Sequence, residues 1–90
     1  EEVVVEIRIR VQREEKVRRL IKRILEEVKR ESNSVEVHVE TRKRNGEVEV
    51  HVRIRHDDKE TIERLVERIL REIKKLDKNS EVEVRTTTKR

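Results

Sequence analysis

Three side chains in this sequence have the chemistry of metal ligands and a spacing that can bring them together: His38, Glu40 and His51. Imidazole and carboxylate are ordinary ligands for a divalent cation. On an extended chain His38 and Glu40 point the same way, because side chains alternate with period two. The dipeptide Asn45-Gly46 then folds the chain back, and a two-residue turn sets Glu40 opposite His51 with His38 on the diagonal. Three ligands on an open sheet, with nothing nearby to orient the imidazoles, would hold a metal weakly. The expectation is a cross-strand surface patch and no purposeful metal site, with adventitious metal binding as the alternative. His56 reads as a loop residue before the second helix.

Nucleophilic catalysis lacks its parts. The hydroxyls are Ser32, Ser34, Ser80 and a few threonines, mostly at helix exits or in the tail Thr86-Thr87-Thr88. None is expected near a histidine that could serve as its base. With no cysteine, disulfides, thiol redox chemistry, iron–sulfur clusters and cysteine-based zinc sites are excluded. Arg8, Arg10, Arg53 and Arg55 share one sheet face and could contact phosphates without sequence preference. The glutamates interleaved with them favour cross-strand ion pairs instead, for example Glu36–Arg55 and Arg42–Glu49. No cofactor or catalytic residue is expected.

These residues sit on elements that the apolar pattern defines. The chain has 90 residues, of which 51% are charged and 31% hydrophobic, with no aromatic residue. Such a composition ordinarily marks disorder, but here the apolar residues are strictly periodic. Val3, Val5, Ile7, Ile9 and Val11 alternate with Val4, Glu6, Arg8, Arg10 and Gln12, which predicts a half-buried strand over about 2–12. Val17, Leu20, Ile21, Ile24, Leu25 and Val28 then recur at three and four, the stripe of an amphipathic helix over about 14–31. Val35, Val37, Val39 and Thr41 lie inward on a strand over 35–44, and Val48, Val50, Val52 and Ile54 on one over 47–56. In the Asn45-Gly46 register these two inner faces coincide. Ile62, Leu65, Val66, Ile69, Leu70, Ile73 and Leu76 form a second helix over 58–76, with Asp57 and Glu60 spaced as a capping box. Val82, Val84 and Thr86 lie inward on a last strand over 81–88. Val4 is the one apolar residue that falls outside the inner faces.

The chain also repeats. A shift of 45 residues takes Val3 to Val48, Ile9 to Ile54, Leu20 to Leu65 and Val37 to Val82. Each half is strand–helix–strand, and two right-handed crossovers can interleave as an antiparallel sheet of order 4-1-3-2 with both helices on one face. This is an α+β architecture in a single domain, 1–90, with a valine-rich core. Charges at the helix ends agree with the helix dipole: Glu14 and Glu15 open the first helix and Lys29 and Arg30 close it, while Asp58 and Glu60 open the second and Lys74 and Lys75 close it. Glu15–Arg19, Glu26–Arg30, Glu60–Arg64 and Glu67–Arg71 are spaced for ion pairs along one helix.

With its two strand–helix–strand halves, the Arg44-Asn45-Gly46-Glu47 hairpin, even element lengths and an apolar alphabet of Val, Ile and Leu alone, the chain resembles the idealised ferredoxin-like proteins made by de novo design. The resemblance implies a βαββαβ fold and, since that fold hosts many activities, no function by itself. RNA-recognition modules of this topology stack bases on aromatics of the first and third strands, and this chain has none. Acylphosphatases cradle phosphate in the first strand–helix loop with a glycine and an arginine. Here Val11-Gln12-Arg13-Glu14 has the arginine, no glycine and an adjacent glutamate.

The reading is therefore a folding scaffold without a natural biochemical function and not an enzyme; the alternative is a binding module that uses the open face for RNA or a protein. No partner is expected and nucleic acid is not favoured. No apolar run approaches the roughly 20 residues of a membrane span. The N-terminal alternation is not that of a signal peptide, so no targeting signal is expected and no localisation is implied. A monomer is expected, with a homodimer through an edge strand as the alternative.

Overall fold

The computed structural model describes residues 1–90. Strand β1 spans Glu2–Val11, a 3₁₀ turn Glu14–Lys16 leads into helix α1 at Val17–Glu31, and strands β2 (Glu36–Arg44) and β3 (Glu47–His56) form a hairpin. Helix α2 (Lys59–Leu76) returns the chain to strand β4 (Glu81–Lys89). The sheet order is β2-β3-β1-β4 with every pair antiparallel, which is the predicted 4-1-3-2 read from the other edge.

Period-two burial builds the sheet. On the helix face Val3, Val5, Ile7, Ile9 and Val11 of β1 and Val48, Val50, Val52 and Ile54 of β3 are all buried. Leu20, Ile24 and Val28 of α1 and Ile62, Leu65, Ile69 and Ile73 of α2 close over them. Burying a side chain of this size is worth about 1.5–3 kcal/mol in transfer free energy. Asn45 and Gly46 take φ of 52° and 79°, the left-handed pair that a type I′ turn requires. The turn sets Glu40 opposite His51 and Val39 opposite Val52.

The 45-residue repeat carries through to the register. Val37 faces Ile54 in one outer pair, and the equivalent Val82 faces Ile9 in the other. It also appears at the helix exits. After α1 the Ser34 amide donates to Ser32 Oγ at 3.1 Å, and after α2 the Asn79 amide donates to Asp77 Oδ1 at 3.1 Å. Each short side chain closes a local turn that stops its helix.

Several expectations shift in detail. The cap of α2 is one residue later than the Asp57–Glu60 spacing suggests. Asp58 holds the extended cap conformation, its Oδ2 accepts from Thr61 Oγ1 at 2.7 Å, and Asp57 is exposed. The four ion pairs expected at i, i+4 do not form; their place is taken by pairs between helices and by two i, i+3 pairs, Glu27–Arg30 and Glu72–Lys75. Arg68 and Arg64 both reach Glu31 on α1, at 2.5 and 3.3 Å, and Arg23 reaches Glu72 on α2 at 2.7 Å. Arg30 turns to Glu27 at 3.4 Å. Glu31 lies where the helices meet, so its partners are cations of the neighbouring helix, whereas Glu27 is nearer to Arg30 of its own helix than to Arg68 across the seam at 3.9 Å.

The inner face of the edge strands is less covered than its pattern implies. Thr41 and Thr86 are exposed, Val37, Val39 and Val82 are partly buried, and Val84 is 43% exposed. Leu25 on α1 is 41% exposed. Two helices span the two central strands, and the rims extend beyond them. Val4 behaves in the opposite way. It lies on the open face, yet it is 4% exposed. Its neighbours are Arg55 and Thr87, and Arg55 is drawn back to Glu2 at 2.6 Å, so a long arginine stem lies against the valine.

Candidate functional site

The open face of the sheet is where the candidate ligands and cations gather. Read across β2, β3, β1 and β4, one row is Glu36, Arg55, Val4 and Thr87, and the next is His38, Arg53, Glu6 and Arg85. Then come Glu40, His51, Arg8 and Glu83, followed by Arg42, Glu49, Arg10 and Glu81. Carboxylates are interspersed with basic side chains, alternating strictly in the last row, while His38 lies beside Arg53 and His51 beside Arg8 in the middle two. Directly opposed unlike charges on a sheet attract modestly, and like charges repel.

The side chains use this arrangement. Arg8 donates to Glu83 at 2.6 Å, Arg10 lies 3.3 Å from Glu81 and 3.6 Å from Glu49, and Arg55 joins Glu2 and Glu36 at 2.6 and 3.6 Å. The expected Glu36–Arg55 pair is therefore present. The expected Arg42–Glu49 pair is not: the residues are register partners, but Arg42 turns along its own strand to Glu40 at 3.3 Å. Glu49 is taken by His51 Nε2 at 3.0 Å and by Arg10. The Arg8 hydrogen bond holds the Glu83 carboxyl below the usual carboxylate range, and Arg55 does the same for Glu2.

Glu49 is the unexpected member. It sits on the open face but is 5% exposed. The hydrogen bond from His51 holds its carboxyl low against the opposing effect of desolvation, helped by the charges of Arg8 and Arg10. Sequence alternation marks it only as outward-facing. Its burial comes from the long side chains around it, whose conformations the pattern does not carry.

His38, Glu40 and His51 do not converge as a ligand set. His38 Nε2 lies 3.4 Å from Glu40, whereas His51 directs Nε2 to Glu49. Arg42 also occupies Glu40. The hydrogen bonds from His38 and Arg42 lower the Glu40 carboxyl. No group of three or more potential ligands gathers anywhere in the chain.

His56 ends β3 and is more than a loop residue. Its Nδ1 accepts the Asp58 amide at 2.9 Å, and Nε2 meets Ser34 Oγ at 3.0 Å. Accepting an amide at Nδ1 places the ring proton on Nε2, which donates to Ser34. The imidazole thus ties the start of α2 to the exit of α1. Ser32, Ser34 and His56 form a connected chain, so a serine does lie beside a histidine, contrary to expectation. Ser34 is exposed and Ser32 shares its hydroxyl contact. Although Asp57 Oδ1 lies 3.4 Å from Nδ1, that nitrogen is accepting the Asp58 amide and has no proton to donate to the acid, as a hydrolytic triad would require.

The first strand–helix loop gathers cations that are distant in sequence. Gln12, Arg13 and Lys16 share a shallow depression with Lys75, Lys78 and Asp77. Lys16 Nζ donates to the Leu76 carbonyl at 2.9 Å, so it closes the end of α2. No local motif foretells this cluster; the topology alone brings the two loops together.

No helix of the chain is long and apolar enough to cross a membrane. No protein-family model matches the chain. No curated protein matches it either. Among solved structures, the de novo designed protein Ferredog-Diesel aligns over 98% of this chain and 85% of its own, with 29% identity and a TM-score of 0.61. The de novo designed protein LFR1 1, described as having a ferredoxin fold, aligns over 98% of this chain and 86% of its own, with 26% identity and a TM-score of 0.59. SnoaB, a cofactor-independent oxygenase from Streptomyces nogalater, matches 99% of this chain and 93% of its own at a TM-score of 0.74, but at 17% identity that likeness concerns the fold alone. The chain has the ferredoxin-like βαββαβ fold and resembles the proteins designed de novo for it.

Proposed function

We propose that residues 1–90 form a single-domain folding scaffold with no catalytic, metal or cofactor site and no natural biochemical function. The observation that carries this reading is the charge pattern of the open face. Arg8, Arg10 and Arg55 are each engaged by carboxylates of their own sheet. A ligand phosphate would have to displace those carboxylates before gaining a contact. The likeness to designed proteins of the same fold points the same way.

A second reading keeps the open face as a binding surface for RNA. It is favoured by Arg53 and Arg85, which flank Glu6 and are absent from the ion pairs formed there. An ¹H–¹⁵N correlation spectrum with and without mixed-sequence single-stranded RNA at physiological salt separates the two. Dispersed peaks that stay in place support the scaffold. Saturable shifts at Arg8, Arg10, Arg53 and Arg55, lost in Arg53→Glu, would replace it with the binding module.

A further inference from the structure

The two edge strands are protected unequally. Strand β2 carries Lys43 on its helix face: it is the register partner of buried Val48, and its Nζ reaches Glu14 at 2.9 Å. An inward-pointing charge on an edge strand opposes pairing with another chain. Strand β4 has no such guard. Its helix-face positions from 80 to 88 are Ser80, Val82, Val84, Thr86 and Thr88, and Val84 is 43% exposed. Its outward side chains Glu83 and Arg85 have opposite charge, and β4 pairs only on its β1 side.

We propose that β4 pairs antiparallel with β4 of a second copy of this chain, about a two-fold axis at Val84, to give a continuous eight-stranded sheet. The charges together with the exposed Val84 select this register. With Val84 opposite Val84 of the second copy, Glu83 faces Arg85 twice and Val82 faces Thr86 twice. A slip that centres the axis on Glu83 or Arg85 sets like charges face to face. Centring on Val82 opposes Glu81 to Glu83. Centring on Thr86 pairs as many strand residues, 83–89, but moves the unlike-charge contact to Glu83 and Lys89 at the ends of the pairing and sets Val84 opposite Thr88, so the two exposed valines no longer meet. Because opposed residues share a face, both helix pairs remain on one side of the extended sheet. Val84, left uncovered by α2 in the single chain, becomes covered at the axis. The symmetry closes the assembly at two copies and leaves β2, with Lys43, as the outer edges.

The test combines mass with position. Sedimentation equilibrium on the intact protein is expected to rise toward twice the single-chain mass with increasing concentration, and Val84→Lys is expected to hold the single-chain mass over the same range. Because the chain has no cysteine, single-cysteine variants report position directly. In a glutathione redox buffer Val84→Cys is expected to cross-link at least about tenfold faster than Val39→Cys, since only paired strands hold the two Cα atoms within disulfide reach. Circular dichroism of each variant confirms that the fold is kept. A single-chain mass up to about 1 mM, the limit of weak specific association, would overturn the proposal. So would association undiminished in Val84→Lys, or faster cross-linking through position 39.

Discussion

Strand β2 is tied to β3 by a two-residue turn, whereas β4 meets β1 with no turn at all, its nearest covalent link running through α2. The two pairings nonetheless share one register. Val39 faces Val52 on the first side and Val84 faces Ile7 on the second, positions related by the 45-residue repeat. A turn is therefore not needed to define the register. The apolar face of β1, buried along its length, selects which face of β4 turns inward, and opposite charges such as Arg8–Glu83 and Arg10–Glu81 choose among slips of two. What the turn adds to the β2 side is local closure. What the β4 side lacks is cover, as the exposure of Val84 records.

The comparison can be broken most forcefully at the core. Ile9 and Ile54 are equivalent under the repeat and both are fully buried. Truncating either to Ala should cost about 2–5 kcal/mol, read from urea denaturation. Similar losses at both would show that the edges lean on the core equally; a loss at Ile9 far below that at Ile54 would make the turnless side a passive attachment. Gly46→Ala acts on one edge only. At φ of 79° it should cost roughly 1–2 kcal/mol, through strain, since an added Cβ meets no neighbour. Its effect on amide exchange should concentrate in β2 and β3 and spare β4.

Acid probes a third contrast, between the helix seam and the open face. Arg68 and Arg64 hold Glu31 below the usual range, Lys75 and Arg23 hold Glu72 there, and Arg8 holds Glu83 there. A carboxyl depressed in the folded state stabilises the fold at any pH above its unfolded value, about 4.3 for Glu. That contribution fades as pH falls below this value and through the folded one. Stability measured by denaturant titration should therefore be level near neutral pH and decline below about pH 4.3. Added salt should weaken the exposed Arg8–Glu83 pair more than the Glu31–Arg68 pair, whose carboxylate is better covered. The smallest effect is in exchange kinetics: at concentrations dilute enough to keep the chain single, amides of β4 should exchange faster than those of β2, because its inner face is less buried.

The fold was legible because backbone alternation and helical period are local signals. Val3 to Val11, the stripe Leu20-Ile24-Val28 and the Asn45-Gly46 turn together leave one arrangement of strands and helices that buries the inner faces of β1 and β3. The side-chain partners were less legible. Glu31 chooses Arg68 on another helix, Arg42 prefers Glu40 to the register partner Glu49, and His56 caps an element it only precedes in sequence. Long side chains reach about two residues in any direction, so period and register place their roots and not their tips. Val4 and Glu49 are buried for the same reason: arginine stems and a histidine cover positions that alternation assigns to the open face. As for the candidate site, alternation placed His38, Glu40 and His51 together on the open face, while the pull of Glu49 on His51 lay beyond its reach.

The claim that side chains alone fix the β1–β4 register is tested most directly by interstrand nuclear Overhauser contacts in the labelled protein. The account predicts contacts that place Val84 opposite Ile7 and Val82 opposite Ile9. A two-residue slip, with Val82 opposite Ile7, would keep the same faces inward and would contradict it.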